Sequence, residues 1–136
     1  MDRVKSLGGE FLIIDTAPHS DSAAIEAARA ADMVIIPCRP AILDLEAITS
    51  TTGLVEVTKT PALVVMNAVA PSGAEAESAL DLLKSLGIEV CPTRLGNRVA
   101  FSRALVSGQT AQEVEPDGKA AMEAGSLYMF ICTHVQ

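Results

Sequence analysis

Phe11-Leu12-Ile13-Ile14 is a run of four apolar residues that leads straight into Asp15-Thr16-Ala17-Pro18. A short apolar run without polar alternation fits a strand buried on both faces, the pattern of a parallel sheet. The acidic residue that follows then stands where the strand leaves the sheet, the edge at which open α/β sheets bind ligands. The same Asp also suits a plain turn or helix entry, because its carboxylate accepts from nearby backbone amides.

The pattern repeats along the chain. Met33-Val34-Ile35-Ile36-Pro37 reads as a second buried strand ended by its proline, and Ala62 to Met66 as a third that runs into Asn67. Ile88 to Cys91 reads as a fourth, ended by Pro92. Helical stretches lie between them. Ser20 or Asp21 caps a helix to about Ala31, and another runs from about Ile42 to Val57 with Leu45, Ile48 and Thr52 on one face. Ser72 to Leu86 is amphipathic, with Ala76, Ala79, Leu80, Leu83 and Leu86 inward and Gly87 as its C-terminal cap. A short helix over Asn97–Ser107, a turn at Gly108-Gln109-Thr110 and a long final helix opened by Pro116 complete the chain. The order β-α-β-α-β-α-β-α-α predicts an α/β fold with a mostly parallel sheet flanked by helices, all within one domain, residues 1–136.

Composition agrees with that architecture. The 136 residues are 49% hydrophobic but only 3% aromatic, with no Trp, so the core must be aliphatic. No apolar stretch approaches the roughly 20 residues that span a bilayer. Met1–Lys5 has no apolar run behind it and does not read as a signal peptide, so the expected location is the cytoplasm. Cys38, Cys91 and Cys132 have no CxxC or Cys/His spacing, which points away from a zinc site or a disulfide framework. The net charge of −7 opposes general attraction to nucleic acid. It is unevenly spread, however: Val90 to Gln112 holds no acidic residue while carrying Arg94, Arg98 and Arg103. That run is either a solvated helix face or one local basic face on an acidic protein.

Several of these stretches, taken together, resemble the ParA/MinD-type partition ATPases, members of the SIMIBI group with a deviant Walker A motif. They are Phe11–Pro18, Ala30-Ala31-Asp32 with the strand to Pro37, Asp44-Leu45-Glu46-Ala47-Ile48, Arg98–Leu105, Gly108-Gln109-Thr110 and Glu113–Pro116. The resemblance covers residues 10–132 and lies nearest the ParA proteins that segregate plasmids and chromosomes. It implies a three-layer, Rossmann-like P-loop NTPase fold with ATP and Mg²⁺ as cofactors. It makes Asp15 the Walker B carboxylate, which supports Mg²⁺ through water, and places Thr16 and Pro18 in the turn beside it. Ala17 departs from the two prolines many members carry here. Asn67 corresponds to the asparagine that contacts adenine, an apt group because an amide both donates and accepts. It equally suits a residue that turns the chain after a strand. The loop Pro92 to Gly96, with Arg94, corresponds to the second wall of that pocket. Arg98 and Arg103 fall where related proteins hold non-specific DNA, which requires phosphate contacts but no base reading. His19 follows the turn and reads as an exposed turn residue, although it stands near where a phosphate would lie.

One family element is absent from these 136 residues: no Gly-x-x-x-x-Gly-Lys-Ser/Thr loop occurs, and Gly8-Gly9 precede the Walker B run without the required Lys and Ser/Thr. The expectation is a C-terminal part of a partition ATPase, or a truncated relative, lacking the N-terminal strand and P-loop and unable to hydrolyse ATP usefully, because phosphate positioning supplies most of that catalysis. Phe11–Ile14 would then form an exposed apolar edge. In the intact family the partners are a second copy in a homodimer, a ParB-like centromere-binding protein and non-specific DNA, at the nucleoid. A different class also fits: a non-enzymatic dimerisation or DNA-interaction module derived from such an ATPase. Membrane cycling of the MinD kind fits poorly, because the tail from Leu127 to Gln136 has no Lys or Arg.

Overall fold

The computed structural model describes residues 10–17 and 21–135. Pro18 and His19 lie outside the described residues, as does the Leu7-Gly8-Gly9 lead-in. The described elements run α1 (Asp21–Ala30), β1 (Val34–Cys38), α2 (Ile42–Thr58), β2 (Ala62–Met66), α3 (Glu75–Ser85), α4 (Val99–Val106), α5 (Ala111–Val114) and α6 (Lys119–His134). The result is a mixed α/β arrangement built on a small parallel sheet.

β1 and β2 pair in parallel from Val34↔Ala62 to Cys38↔Met66. A third segment runs parallel on the far side of β2, where Val64 N–H donates to the Glu89 carbonyl at 2.9 Å and Cys91 N–H to the Val64 carbonyl at 2.8 Å. It reaches only isolated bridges, Val64↔Val90 and Val69↔Gly96, so the expected strand over Ile88–Cys91 is a contact rather than a full strand. β2 is therefore central, with backbone partners on both sides. Its Val64 and Met66 join Ile36 and Cys38 of β1 in one apolar cluster, against Ile48 and Val55 of α2 and Leu80 and Leu83 of α3. Leu63 and Val65 point to the opposite face, where with Cys91 they meet Leu127 and Phe130 of α6. Continuous Ala-Leu-Val-Val-Met is what a strand covered on both faces requires.

The helix boundaries follow local chemistry. α2 ends where Lys59 turns to φ 58° and its N–H returns to the Val55 carbonyl at 3.0 Å. After α3, Gly87 takes φ 71°, a conformation that favours glycine, and Ile88 N–H bonds back to the Leu83 carbonyl at 3.0 Å. α6 begins at Lys119, later than Pro116 predicts, because Glu115 to Gly118 form a turn closed by Gly118 N–H to the Glu115 carbonyl. α5 went unread in the sequence although its signal is present: Thr110 and Glu113 form a reciprocal capping box.

The expected first strand is absent. Residues 11–17 carry no strand, and Phe11 (48% exposed), Leu12 (51%), Ile13 (91%) and Ile14 (44%) face solvent. An apolar run becomes a strand only where another backbone supplies partners, and no described segment does so here. The Phe11 ring instead meets Tyr128 of α6 edge-on at 5.9 Å.

Candidate functional site

The carboxyl ends of the parallel segments converge. Asn67 N–H donates to the Cys38 carbonyl at 2.7 Å, and Leu95 N–H to the Met66 carbonyl at 2.9 Å. Val69 N–H then donates to Leu95 and Asn97 N–H to Val69, at 3.0 and 2.8 Å. These bonds bring the turn after β1, Asn67 and the loop 92–98 to one edge. It is the edge at which open α/β sheets hold ligands.

Each part of that edge is fixed by a specific contact. Asn67 is half-buried, and its Oδ1 accepts the N–H of Ala68 at 2.9 Å while Ala68 sits at φ 50°. The side-chain acceptor is thus spent on a left-handed turn that an alanine rarely adopts. Its Nδ2 donates to no described residue, which leaves both amide N–H groups at the edge. Beyond β1, Arg39 donates from Nε and Nη2 to the two Asp44 oxygens at 2.8 and 2.9 Å, and from its backbone N–H at 3.3 Å. The Arg39 hydrogen bonds hold the Asp44 carboxyl below its usual range. Cys38 is buried and its Sγ donates to the Arg39 carbonyl at 3.2 Å. Burial, and then Asp44, push the thiol up, so it stays protonated and unreactive.

The loop 92–98 is tied down by acids from elsewhere. Arg94 pairs with Glu77 of α3 at 2.6 Å, which holds the Glu77 carboxyl low. Arg98 donates from Nε to both oxygens of Glu123 on α6 at 2.9 Å, and from Nη2 to Oε1. Glu123 Oε2 also accepts the Gly96 N–H at 3.0 Å. The Arg98 hydrogen bonds, and behind them the Gly96 amide, keep the Glu123 carboxyl below its ordinary value. The acid-free run Val90–Gln112 is therefore not a uniformly basic face, since acids outside the run meet Arg94 and Arg98. Arg103, exposed on α4, has no ion-pair partner among the described residues.

Asp15 and Thr16 lie in the exposed segment 11–17, outside the sheet. Among the described residues no three His, Cys, Asp or Glu side chains gather as a metal site. Pro92 opens the loop as an exposed residue. The structure thus brings Asn67 and the loop 92–98 to one edge and adds Arg39–Asp44 and Glu123, which the sequence does not single out. Arg39-Pro40 just before a helix with Asp44 in its first turn was the available signal for the former. Glu123, 25 residues from Arg98, had none.

A groove of about 510 Å³ lies at the opposite end of β2, lined by Thr52, Val55, Lys59, Pro61, Ile88 and Glu89 among others. The hydroxyls that line it, of Thr49, Thr52 and Thr60, all donate to backbone carbonyls, so they do not converge on its interior. No described helix is long and apolar enough to cross a membrane.

No family model matches the chain. Over 120 residues it is 27% identical to maintenance of carboxysome distribution protein A of Halothiobacillus neapolitanus, a match that covers 84% of this chain. The chain spans 56% of that protein's length, little more than half.

Proposed function

We propose that the chain is part of a ParA/MinD-like ATPase that positions or partitions a cellular cargo. The observation that carries this reading is the similarity along 84% of the chain to a protein named for maintaining carboxysome distribution. The resemblance carried by Phe11–Pro18, Arg98–Leu105 and Gly108-Gln109-Thr110 points to the same family. On this reading ATP is the nucleotide, with its base edge against the open Nδ2 of Asn67 and the loop Pro92–Gly96 with Arg94 as the second wall. The Nδ2 group of Asn67 suits a base acceptor, and the second lone pair of Oδ1, beside the one that takes the Ala68 N–H, suits a base donor.

Asp15 is the carboxylate that would support Mg²⁺ through water, with Thr16 and Pro18 shaping its turn. A lone exposed carboxylate is not by itself a metal site, so the ion would arrive on the nucleotide's phosphates, where it supplies charge neutralisation. In the whole protein, nucleotide-dependent homodimerisation, non-specific DNA contact through Arg98 and Arg103, and stimulation by a ParB-like partner at the nucleoid complete the cycle. A second reading, a non-enzymatic dimerisation or DNA-interaction module, draws support from the exposed position of Asp15 and Thr16, outside the sheet formed by the described residues.

Equilibrium titration of this chain with a fluorescent ATP analogue and Mg²⁺ tests the proposal. Saturable binding that Asn67→Ala abolishes is the expected result. Absence of binding up to millimolar nucleotide rules out a working nucleotide pocket in this chain and leaves the module reading.

A further inference from the structure

Glu123 does two things at once: it neutralises Arg98, and it fastens the loop at the carboxyl edge of the sheet through the Gly96 N–H. The Arg98 side chain remains 32% exposed while Glu123 is more enclosed at 22%, so a second anion can reach the guanidinium before it reaches the carboxylate. The guanidinium recognises phosphate with the same fork it offers a carboxylate. From this geometry we infer that Glu123 is an autoinhibitory latch: DNA phosphate and the Glu123 carboxylate compete for Arg98, and capture of Arg98 by DNA loosens the loop 92–98. The inference deepens the proposed reading and rests on its DNA contact.

Competition has two consequences. Part of the DNA affinity is spent on separating Arg98 from Glu123, so removing the carboxylate's charge strengthens binding. A Glu123 side chain that loses Arg98 also loses the fork that fixes its position over the loop, so it turns to solvent and holds the Gly96 N–H for less of the time. The loop lies beside Asn67, so DNA on Arg98 and a ligand at the sheet edge become linked through one side chain. Linkage of this kind is reciprocal.

The test uses the 136-residue chain and a fluorescent 20-base-pair duplex titrated at several salt concentrations. Glu123→Gln preserves the shape of the side chain and is expected to bind roughly three- to fivefold tighter, the range expected when one partly exposed ion pair no longer competes. Its log-affinity plot against log salt should steepen by about one phosphate contact. Neutralising any acid weakly favours DNA, so the cycle is closed with Arg98→Ala and the double variant. The gain from Glu123→Gln must vanish when Arg98 is absent. A gain that persists in the double variant, or an unchanged affinity, overturns the latch while leaving DNA binding intact. Undetectable duplex binding by every variant overturns the DNA reading together with the latch. A readout that needs no substitution is exchange of the Gly96 amide in the unaltered chain. Duplex should speed it severalfold, and an unchanged or slowed rate counts against the latch.

Discussion

Ala62–Met66 and Phe11–Ile14 are built from the same kind of residue, yet their environments are opposite. Leu63, Val64, Val65 and Met66 are each at most 2% exposed, whereas Ile13 is 91% exposed and its neighbours are nearly half so. Hydrophobicity does not separate them. What differs is that β2 has a backbone partner on each side and helices over both faces, while among the described residues the earlier run has no backbone partner and meets α6 through the Phe11 ring. Burial of a strand is a cooperative property of ladder and cover. An apolar run supplies the side chains for it but not the hydrogen bonds.

The sharpest way to break this contrast is a pair of truncations. Leu83→Ala removes a side chain with no exposure from the cluster over β2 and should cost about 2–5 kcal/mol of unfolding free energy in urea. Ile13→Ala should change it by less than about 0.5 kcal/mol. Similar losses at the two sites would show that the first run is buried in solution. Amide exchange should follow the same division, slow at Val64 and Cys91 and fast across residues 11–14.

Smaller effects refine the paired region. Gly87→Ala meets no atom within 4 Å, so its loss of about 1 kcal/mol comes from φ 71° alone. Thr110→Ala removes one half of the capping box and should lower the thermal midpoint by an amount equivalent to about 1 kcal/mol. Smallest is an acid-side effect from Glu123. Arg98 holds its carboxyl below 4.5, so its stabilising contribution is present above that value and fades as pH falls through the lower folded value. Urea midpoints measured across this acid range should fall less steeply in Glu123→Gln than in the unaltered chain.

The part of the fold that was legible in sequence was the part set by local pattern. Val34–Cys38, Ala62–Met66 and the apolar face of α3 stand close to where their spacing places them, except that Leu86, expected inward, caps the helix and is half exposed, and Asn67 follows β2 at the convergent edge. Phe11–Asp15 was misread because its pattern records what the run can do if paired, not whether it is. The ion pairs were illegible for a different reason. Arg94–Glu77 and Arg98–Glu123 join residues 17 and 25 positions apart, and only the docking of α3 and α6 around the loop brings those charges together. An acid-free stretch in one dimension therefore said little about the local charge in three.

Pro37 has a consequence beyond shaping β1. Val34 donates toward β2 and Cys38 accepts from it, so by strand alternation Ile35 and Pro37 turn their backbone groups to the side of β1 that no described residue pairs. Pro37 has no N–H to offer there. An arriving strand finds carbonyls to bond but lacks a donor at this position, so one of its own acceptors stays dry and unanswered. Among the described residues β1 is an edge strand, and there a single ring makes stacking copy upon copy, and lateral growth toward fibrils, less favourable.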